Sequence, residues 1–272
     1  MKIKGLLRVK GYVLVAGIIF STNSMADDKL WIVSAGLSYH DTSFNLPTNR
    51  YNNDSWTTNL GLMRKLNDRT WLGGNISFTN GDVDYKSFTG STSIDTPSVN
   101  LYLMRELAWG LYADGSIGYG KPRIDTNTVN VRYNANAKFT TASLGLTQYI
   151  PVTQNLMSSI STHYSHISSD FDNFVTNLGT AVPSSNKSLN YITLGGQLAY
   201  QLDKWSPYIK LDWNKANREF LIGTGDKDYF SYGVGIRYAI SNETSIGLGV
   251  GSVFGKRDAH ETNASISFSH QF

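Results

Sequence analysis

The sequence predicts an all-β, up-and-down antiparallel barrel that spans a membrane with twelve strands, on three observations. Apolar residues recur at every second position through most of the chain. The positions between them are largely Gly, Ser, Thr and Asn, and the gaps separating the alternating runs are by turns short and long.

The first element is not part of that pattern. Lys2, Lys4, Arg8 and Lys10 precede a charge-free apolar run, Gly11 to Phe20, and Ser24-Met25-Ala26 supplies a small-x-small cleavage site. Residues 1–26 therefore read as a secretory signal peptide, since the run is about half the roughly 20 residues a membrane-spanning helix needs. Their removal takes 24 Lys+Arg against 21 Asp+Glu to 20 against 21, so the formal charge of +3 belongs to the leader. A nucleic-acid partner is not implied. The absence of cysteine excludes disulfide scaffolds and thiol nucleophiles.

The domain 27–272 is expected to be the barrel, with alternating runs near 30–40, 56–65, 70–80, 97–107, 110–120, 139–150, 155–167, 189–202, 205–215, 228–240, 244–254 and 262–272. The first shows the division clearly: Trp31, Val33, Ala35, Leu37 and Tyr39 alternate with Ile32, Ser34, Gly36, Ser38 and His40. Near the end Ile246, Leu248 and Val250 oppose Ser245, Gly247, Gly249 and Gly251. Each run is about ten residues, enough at the usual tilt to cross an apolar band roughly 25 Å tall. Short turns are predicted at 66–69, 108–109, 151–154, 203–204 and 241–243. Long polar loops are predicted at 41–55, 81–96, 121–138, 168–188, 216–227 and 255–261. Short turns on one side and long connections on the other are the asymmetry of an outer-membrane barrel, and an even strand count leaves both ends on the periplasmic side.

Alternation alone also fits a soluble sandwich, so the chemistry of the second face decides. A face of Gly, Ser, Thr, Asn and scattered charge does not make a dry core. The apolar face must meet lipid. Aromatics fall where interfaces are expected: Tyr39, Trp56, Phe78, Tyr119, Tyr164, Trp213 and Phe230 toward the long connections, and Trp31, Trp109, Tyr149, Trp205, Tyr238 and Phe272 toward the short turns. One echo, N-L-x-L-M-R-x-L, occurs at Asn59–Leu66 and Asn100–Leu107, and reads as two strands meeting the same environments.

The last strand places Ala264, Ile266, Phe268, His270 and Phe272 on one face and ends on the aromatic Phe272. This resembles the terminal signature of bacterial outer-membrane proteins, in which residues at the positions of Ile266, Phe268 and Phe272 serve as the signal for the barrel-assembly machinery. Together with the strand count and glycine-rich runs such as Tyr232–Tyr238, it resembles the translocator barrel of autotransporters. In that family a passenger precedes the barrel. Here a strand is expected almost directly after the leader, at Lys29, so the resemblance implies a solitary barrel, a monomer in outer-membrane lipid.

Three constellations invite chemistry. His163-Tyr164-Ser165 and His166-Ile167-Ser168 each place a His and a Ser on one strand face, as a base and nucleophile require. The spacing is similar to that of outer-membrane phospholipase A, where an asparagine follows. Here Asn173 and Asn177 follow, but Ser169-Asp170-Phe171 replaces that family's Asn-Gly. Asp82-Val83-Asp84 is similar to the paired acids of outer-membrane proteases, without an Asp-x-His partner. The glycines at 247, 249 and 251 fall at strand period and not at phosphate-loop spacing. No cofactor or metal is called for. The inward set by alternation includes Lys65, Asp114, His163, Gln197, Gln201, Lys210, Asp212 and Arg237, with Lys210, Asp212 and Arg237 expected as a lumen charge cluster or a constriction. The sequence thus points to a structural barrel or passive small-solute channel without catalysis, with a lipid hydrolase or a loop-borne adhesin as the alternatives.

Overall fold

The computed structural model describes residues 31–46, 49–87, 89–219, 226–257 and 259–272. The leader at 1–26 and the strand start at Lys29 lie outside these residues. The elements in order are β1 (Trp31–Leu46), β2 (Asn49–Asn67), β3 (Thr70–Tyr85), β4 (Gly90–Ala108), β5 (Leu111–Gly120), β6 (Arg123–Thr128), β7 (Arg132–Pro151), β8 (Leu156–Phe171), β9 (Phe174–Val175), β10 (Ala181–Val182), β11 (Ser185–Tyr200), β12 (Trp205–Ala216), β13 (Asp228–Ala239), β14 (Thr244–Phe254) and β15 (Ala259–Gln271).

All but β9 and β10 belong to one antiparallel sheet that closes on itself. β5 and β6 both lie between β4 and β7 and act as one wall strand, broken at Lys121-Pro122, where proline has no N–H for the ladder. Counted this way the barrel has twelve strands, as the alternation predicts. Closure is by β1 against β15, from Ile32 opposite Gln271 to Phe44 opposite Ala259, and is completed by Trp31 N to Phe272 O at 3.1 Å and Phe272 N to Trp31 O at 3.0 Å. The terminal residue is thus part of the seam.

The strands are staggered around the wall. From Gly233 on β13 the register passes through Lys210, Gln197 and Ser159 to Tyr149 on β7. In the other direction, through Gly251, Asn263, His40, Ser55, Gly81, Ile94 and Ile124, it meets the same strand at Ala135. That offset obliges every strand to tilt, by about 40° in barrels of this kind, and sets the diameter. A twelve-stranded wall is wider than the eight-stranded barrels that side chains fill.

Period two assigns the faces as expected. Leu60, Ile76, Leu101, Ile160 and Val250 point outward and stay more than half exposed, whereas Ser143 and Ser165 on the inner face are buried. An apolar exterior of this extent is stable only against lipid.

Four of the predicted long loops are instead strand. β1 and β2 continue to Leu46 and from Asn49, β3 and β4 to Tyr85 and from Gly90, and β6 and β7 form a hairpin within 121–138. The segment 168–188 carries the ends of β8 and β11 and the small β9–β10 hairpin. These ribbons raise one side of the wall beyond the lipid-facing band. Their outward positions are polar because they meet water, which makes the composition resemble loop. Their inward positions keep the strand pattern: Phe44 packs with Ala259 and Tyr51, while Ile124, Tyr133 and Ala135 pack with Ile94, Val131, Phe171 and Phe174. Tyr133 stacks on Phe174 at 4.5 Å, which seats β9 against the β6–β7 ribbon. Asp82 and Asp84, which fall in the predicted loop 81–96, are outward positions on β3.

At the opposite rim the turns are tight. Trp109 and Gly110, at φ 45° and 76°, join β4 to β5, the left-handed pair that matches the twist of a two-residue hairpin. Trp109 is almost wholly exposed at this edge.

Candidate functional site

The lumen is built from the inward half of the alternation. Much of it is cross-strand hydroxyl pairing: Ser77 with Ser98 at 2.6 Å, Ser116 with Ser143 at 2.7 Å, Thr57 with Thr79 at 2.8 Å, and Ser245 with Ser269 at 2.9 Å. These pairs satisfy one another and leave a smooth polar surface. The wall is thinnest along β13, β14, β15 and β1, where Gly233, Gly235, Gly247, Gly249, Gly251, Ser265, Ser267 and Gly36 face inward.

Glycine also decides where charges meet. Asp114, Gly145 and His163 form one register row on β5, β7 and β8, and His163 Nε2 reaches Asp114 Oδ1 at 3.3 Å over the intervening strand. A Cβ at position 145 would lie 2.5 Å from His163 Nε2 and 2.8 Å from Asp114 Oδ1, so this pair requires glycine between its members. The same device operates at Asp212, Gly195 and Ser161: a Cβ at 195 would stand 2.7 Å from Ser161 Oγ. Lys210 Nζ contacts Asp212 Oδ2 at 2.9 Å along β12, with the lysine side chain 45% accessible. Lys65 pairs with Asp68 at 3.4 Å at the short-turn rim. Gln201, also at that rim, accepts from Ser206 Oγ at 2.6 Å.

Arg237 sits lower on the wall than Lys210 and Asp212. It is opposite Ser206, four register pairs from the Lys210–Gly233 pair and nearer the short turns. Its electrostatic neighbours include the phenols of Tyr208 on β12 and Tyr149 on β7. Tyr149 therefore belongs to the lumen and not to the aromatic girdle where the sequence reading placed it. Its parity is that of Ser143 and Gly145, and nearness to a turn is a weaker guide than parity. Trp71, Tyr112 and Tyr149 form a chain at 6.1 and 5.5 Å between centroids, and Trp71 and Met63 are only 3% exposed although both face inward. The short-turn end of the lumen is thus gathered by aromatic side chains around Arg237. Sequence reading missed Trp71, Tyr102, Tyr112 and Tyr208; the available signal was that each falls on the inward parity beside a glycine-rich strand.

The two His-x-Ser pairs are on opposite faces. His163 and Ser165 face the lumen, His163 toward Asp114 and Ser165 toward the Tyr191 phenol. His166 and Ser168 face outward, level with and above Tyr164 of the aromatic girdle. His166 Nδ1 lies 2.6 Å from Asn190 Oδ1 on β11. Asn177, one of the asparagines expected from sequence spacing, instead holds the β7 ribbon by accepting from Arg132 N at 2.8 Å. At the seam, Ile266, Phe268 and Phe272 are outward and exposed.

A closed antiparallel barrel with an apolar exterior and a polar, ion-paired lumen is an integral barrel of the bacterial outer membrane. The chain belongs to the autotransporter β-domain family, whose profile matches residues 30–251. No curated protein sequence matches. Among solved structures it is similar to the translocator domain of autotransporter NalP from Neisseria meningitidis, with a TM-score of 0.76 at 14% identity over 91% of this chain and 90% of that one. The β domain of the Bordetella autotransporter BrkA gives 0.76 at 14% identity, over 89% of this chain and 100% of that one. An outer membrane channel from Pseudomonas putida F1 gives 0.63 at 14% identity, over 93% and 100%.

Proposed function

We propose that the barrel is a passive conduit for small polar solutes, narrowed at its short-turn end by Arg237, Tyr149 and Tyr208. The observation that carries this reading is the patch of inward Gly and Ser along β13, β14, β15 and β1, facing the hydroxyl and ion-pair wall of β4 to β12. Opposite charges are matched within the lumen at Lys210 with Asp212, and the Asp114 carboxylate is held against the His163 ring, so the wall favours neutral or zwitterionic solutes over ions of one sign. Arg237 contributes a positive charge at the narrow end.

Planar-bilayer recording of the refolded chain tests the reading. Discrete conductance steps are expected, and Arg237→Ala is expected to enlarge them and to weaken any preference for anions. A bilayer that stays silent with folded protein inserted overturns the proposal, as does a step size indifferent to Arg237.

A further inference from the structure

We propose that Arg64 and Arg105 form a binding site for the phosphate of an anionic phospholipid in the leaflet that faces the short turns. The site is on the outer wall and does not depend on what the lumen conducts.

The echo N-L-x-L-M-R-x-L marks the place. It puts an arginine at the same step of β2 and β4, and each copy ends in the same irregularity: Leu66 is the extra residue of a bulge between Lys65 and Asn67, Leu107 of one between Glu106 and Ala108. Both arginines are outward by parity. Arg64 is bracketed by Leu62 and Leu66, at 44% and 49% exposure, and Arg105 by Leu103 and Leu107, at 48% and 45%. Two cations are thus set among leucines that meet lipid. Among the described residues they are the only lysine or arginine side chains on the outward face of a strand in the short-turn half of the wall.

Tilt and register bring the two to one depth. From Arg64 the row crosses β3 at Leu72 and reaches β4 at Leu103. With strands tilted by about 40°, this row rises toward the long connections, in the same sense as the row that ends at Ala135. Arg105 is two residues nearer the short turn than Leu103, which offsets the rise. Two strand spacings across and two residues along separate the Cα atoms by about 12 Å, a gap that two extended arginine side chains close on a group between them. Thr70 on β3, opposite Arg105, brings a hydroxyl to the same gap.

Neither guanidinium has a hydrogen bond or ion pair to another described residue. Arg64 lies over the Trp31 ring, 5.1 Å from its centroid, a contact that orients the side chain without neutralising it. A guanidinium at the edge of hydrocarbon is costly unless an anion meets it, and its planar fork of donors matches phosphate oxygens. Arg69, in the turn below, adds a third positive charge. The neighbouring carboxylates are engaged elsewhere: Asp68 pairs with Lys65 at 3.4 Å, and Glu106 is on the inward face. A headgroup ammonium therefore gains no partner here, so a headgroup of net negative charge is selected. Its acyl chains lie up the wall along Leu62, Leu72 and Leu103, all exposed.

The test uses the full chain refolded in detergent micelles that hold phosphatidylglycerol and phosphatidylcholine in equal amounts. Native mass spectrometry reads the retained lipid, and heat-modifiable gel migration checks folding. The native chain is expected to retain phosphatidylglycerol in preference to phosphatidylcholine. At about fivefold for each arginine near an anionic surface, retention falls about fivefold in Arg64→Gln and in Arg105→Gln and about twenty-fivefold in the double variant. Arg50→Gln, at the far end of β2, removes the same charge and leaves retention unchanged. Excess glycerol phosphate does not displace the lipid, because it lacks the acyl chains. A second readout needs no variant: phenylglyoxal, an arginine reagent, should modify Arg64 and Arg105 in phosphatidylcholine micelles and spare them in phosphatidylglycerol micelles, as located by peptide mass. Equal retention of the two lipids, retention that survives the double variant, a loss in Arg50→Gln as large as in Arg64→Gln, displacement by glycerol phosphate, or modification indifferent to the lipid each overturns the proposal.

Discussion

Gly235 and Gly233 are two residues apart on the same inward face of β13, and the wall treats them differently. A Cβ at 235 would fall on the ring of Tyr208, across on β12, and within 2.6 Å of the Leu248 carbonyl oxygen on β14. The nearest atom to a Cβ at 233 is the Val250 carbonyl oxygen at 3.4 Å, where ordinary contact begins. The tyrosine ring can swing into the lumen, but the carbonyl belongs to the ladder and moves only with its strand. Gly235→Ala should therefore cost about 1–3 kcal/mol, the usual range for forcing a methyl group into packed structure. Gly233→Ala should be close to neutral. With a urea slope of about 1–3 kcal/mol per molar, the first variant's midpoint falls by roughly 1 M relative to the second, read by tryptophan fluorescence in lipid vesicles. Adding Tyr208→Ala should recover only part of the loss, since the Leu248 carbonyl remains; a double-mutant cycle isolates the ring's share. Equal midpoints for the two glycine variants would refute the account of the inner wall as glycine seats for neighbouring side chains.

Two predictions concern the ribbons beyond the lipid band. On the outward face Asp41 is opposite Asp54, whose Oδ1 also receives Tyr39 Oη at 3.2 Å, and burial followed by the Asp54 charge holds the Asp41 carboxyl above its ordinary range. A raised carboxyl contributes its stability while protonated and loses it as pH rises through its pKa. Asp41→Asn should therefore slow amide exchange at the β1–β2 tip at neutral pH, by about 0.2–1 kcal/mol of cross-strand repulsion relieved, with little effect near pH 3. Inside the ribbons, burial pushes the Tyr51 and Tyr133 phenols up to about 12. Their contribution is complete below about pH 10, the unfolded value, and is lost as pH rises through about 12. Absorbance at 295 nm should show a late-titrating pair, lost in Tyr51→Phe with Tyr133→Phe.

Strand number, face assignment and seam were legible because they rest on parity, which lipid enforces over ten residues at a time. Leu60 and Leu62 outward against Asn59 and Gly61 inward admit one register only, since a slip of one residue would place the polar set in hydrocarbon. Where lipid ends, that pressure ends too. Asn52, Asn53 and Asp54 are polar on both faces, and their strand character is set by long-range pairing with β1 and β3, which composition does not display. Tyr149 was misplaced for the converse reason, by weighing closeness to a turn above its parity with Gly145. The side-chain partners were the least visible part. His166 and Asn190 are separated by the end of β8, the β9–β10 hairpin and the start of β11, and only the register brings them opposite each other.

Parity also explains how like side chains of one strand meet different surroundings. The sequence His163 to Ser168 holds two His-x-Ser pairs displaced by three residues, an odd number, so the strand sends one pair to each face. On the inner face His163 Nε2 meets a carboxylate, Asp114, at 3.3 Å. On the outer face the same side chain meets a neutral acceptor, Asn190, beside lipid. A carboxylate at 190 would have to be held near hydrocarbon, at the cost of desolvating its charge whenever the ring is neutral. The amide fixes the ring without that cost. The inner histidine therefore sits against a lumen carboxylate, and the outer one against a neutral amide at the lipid face.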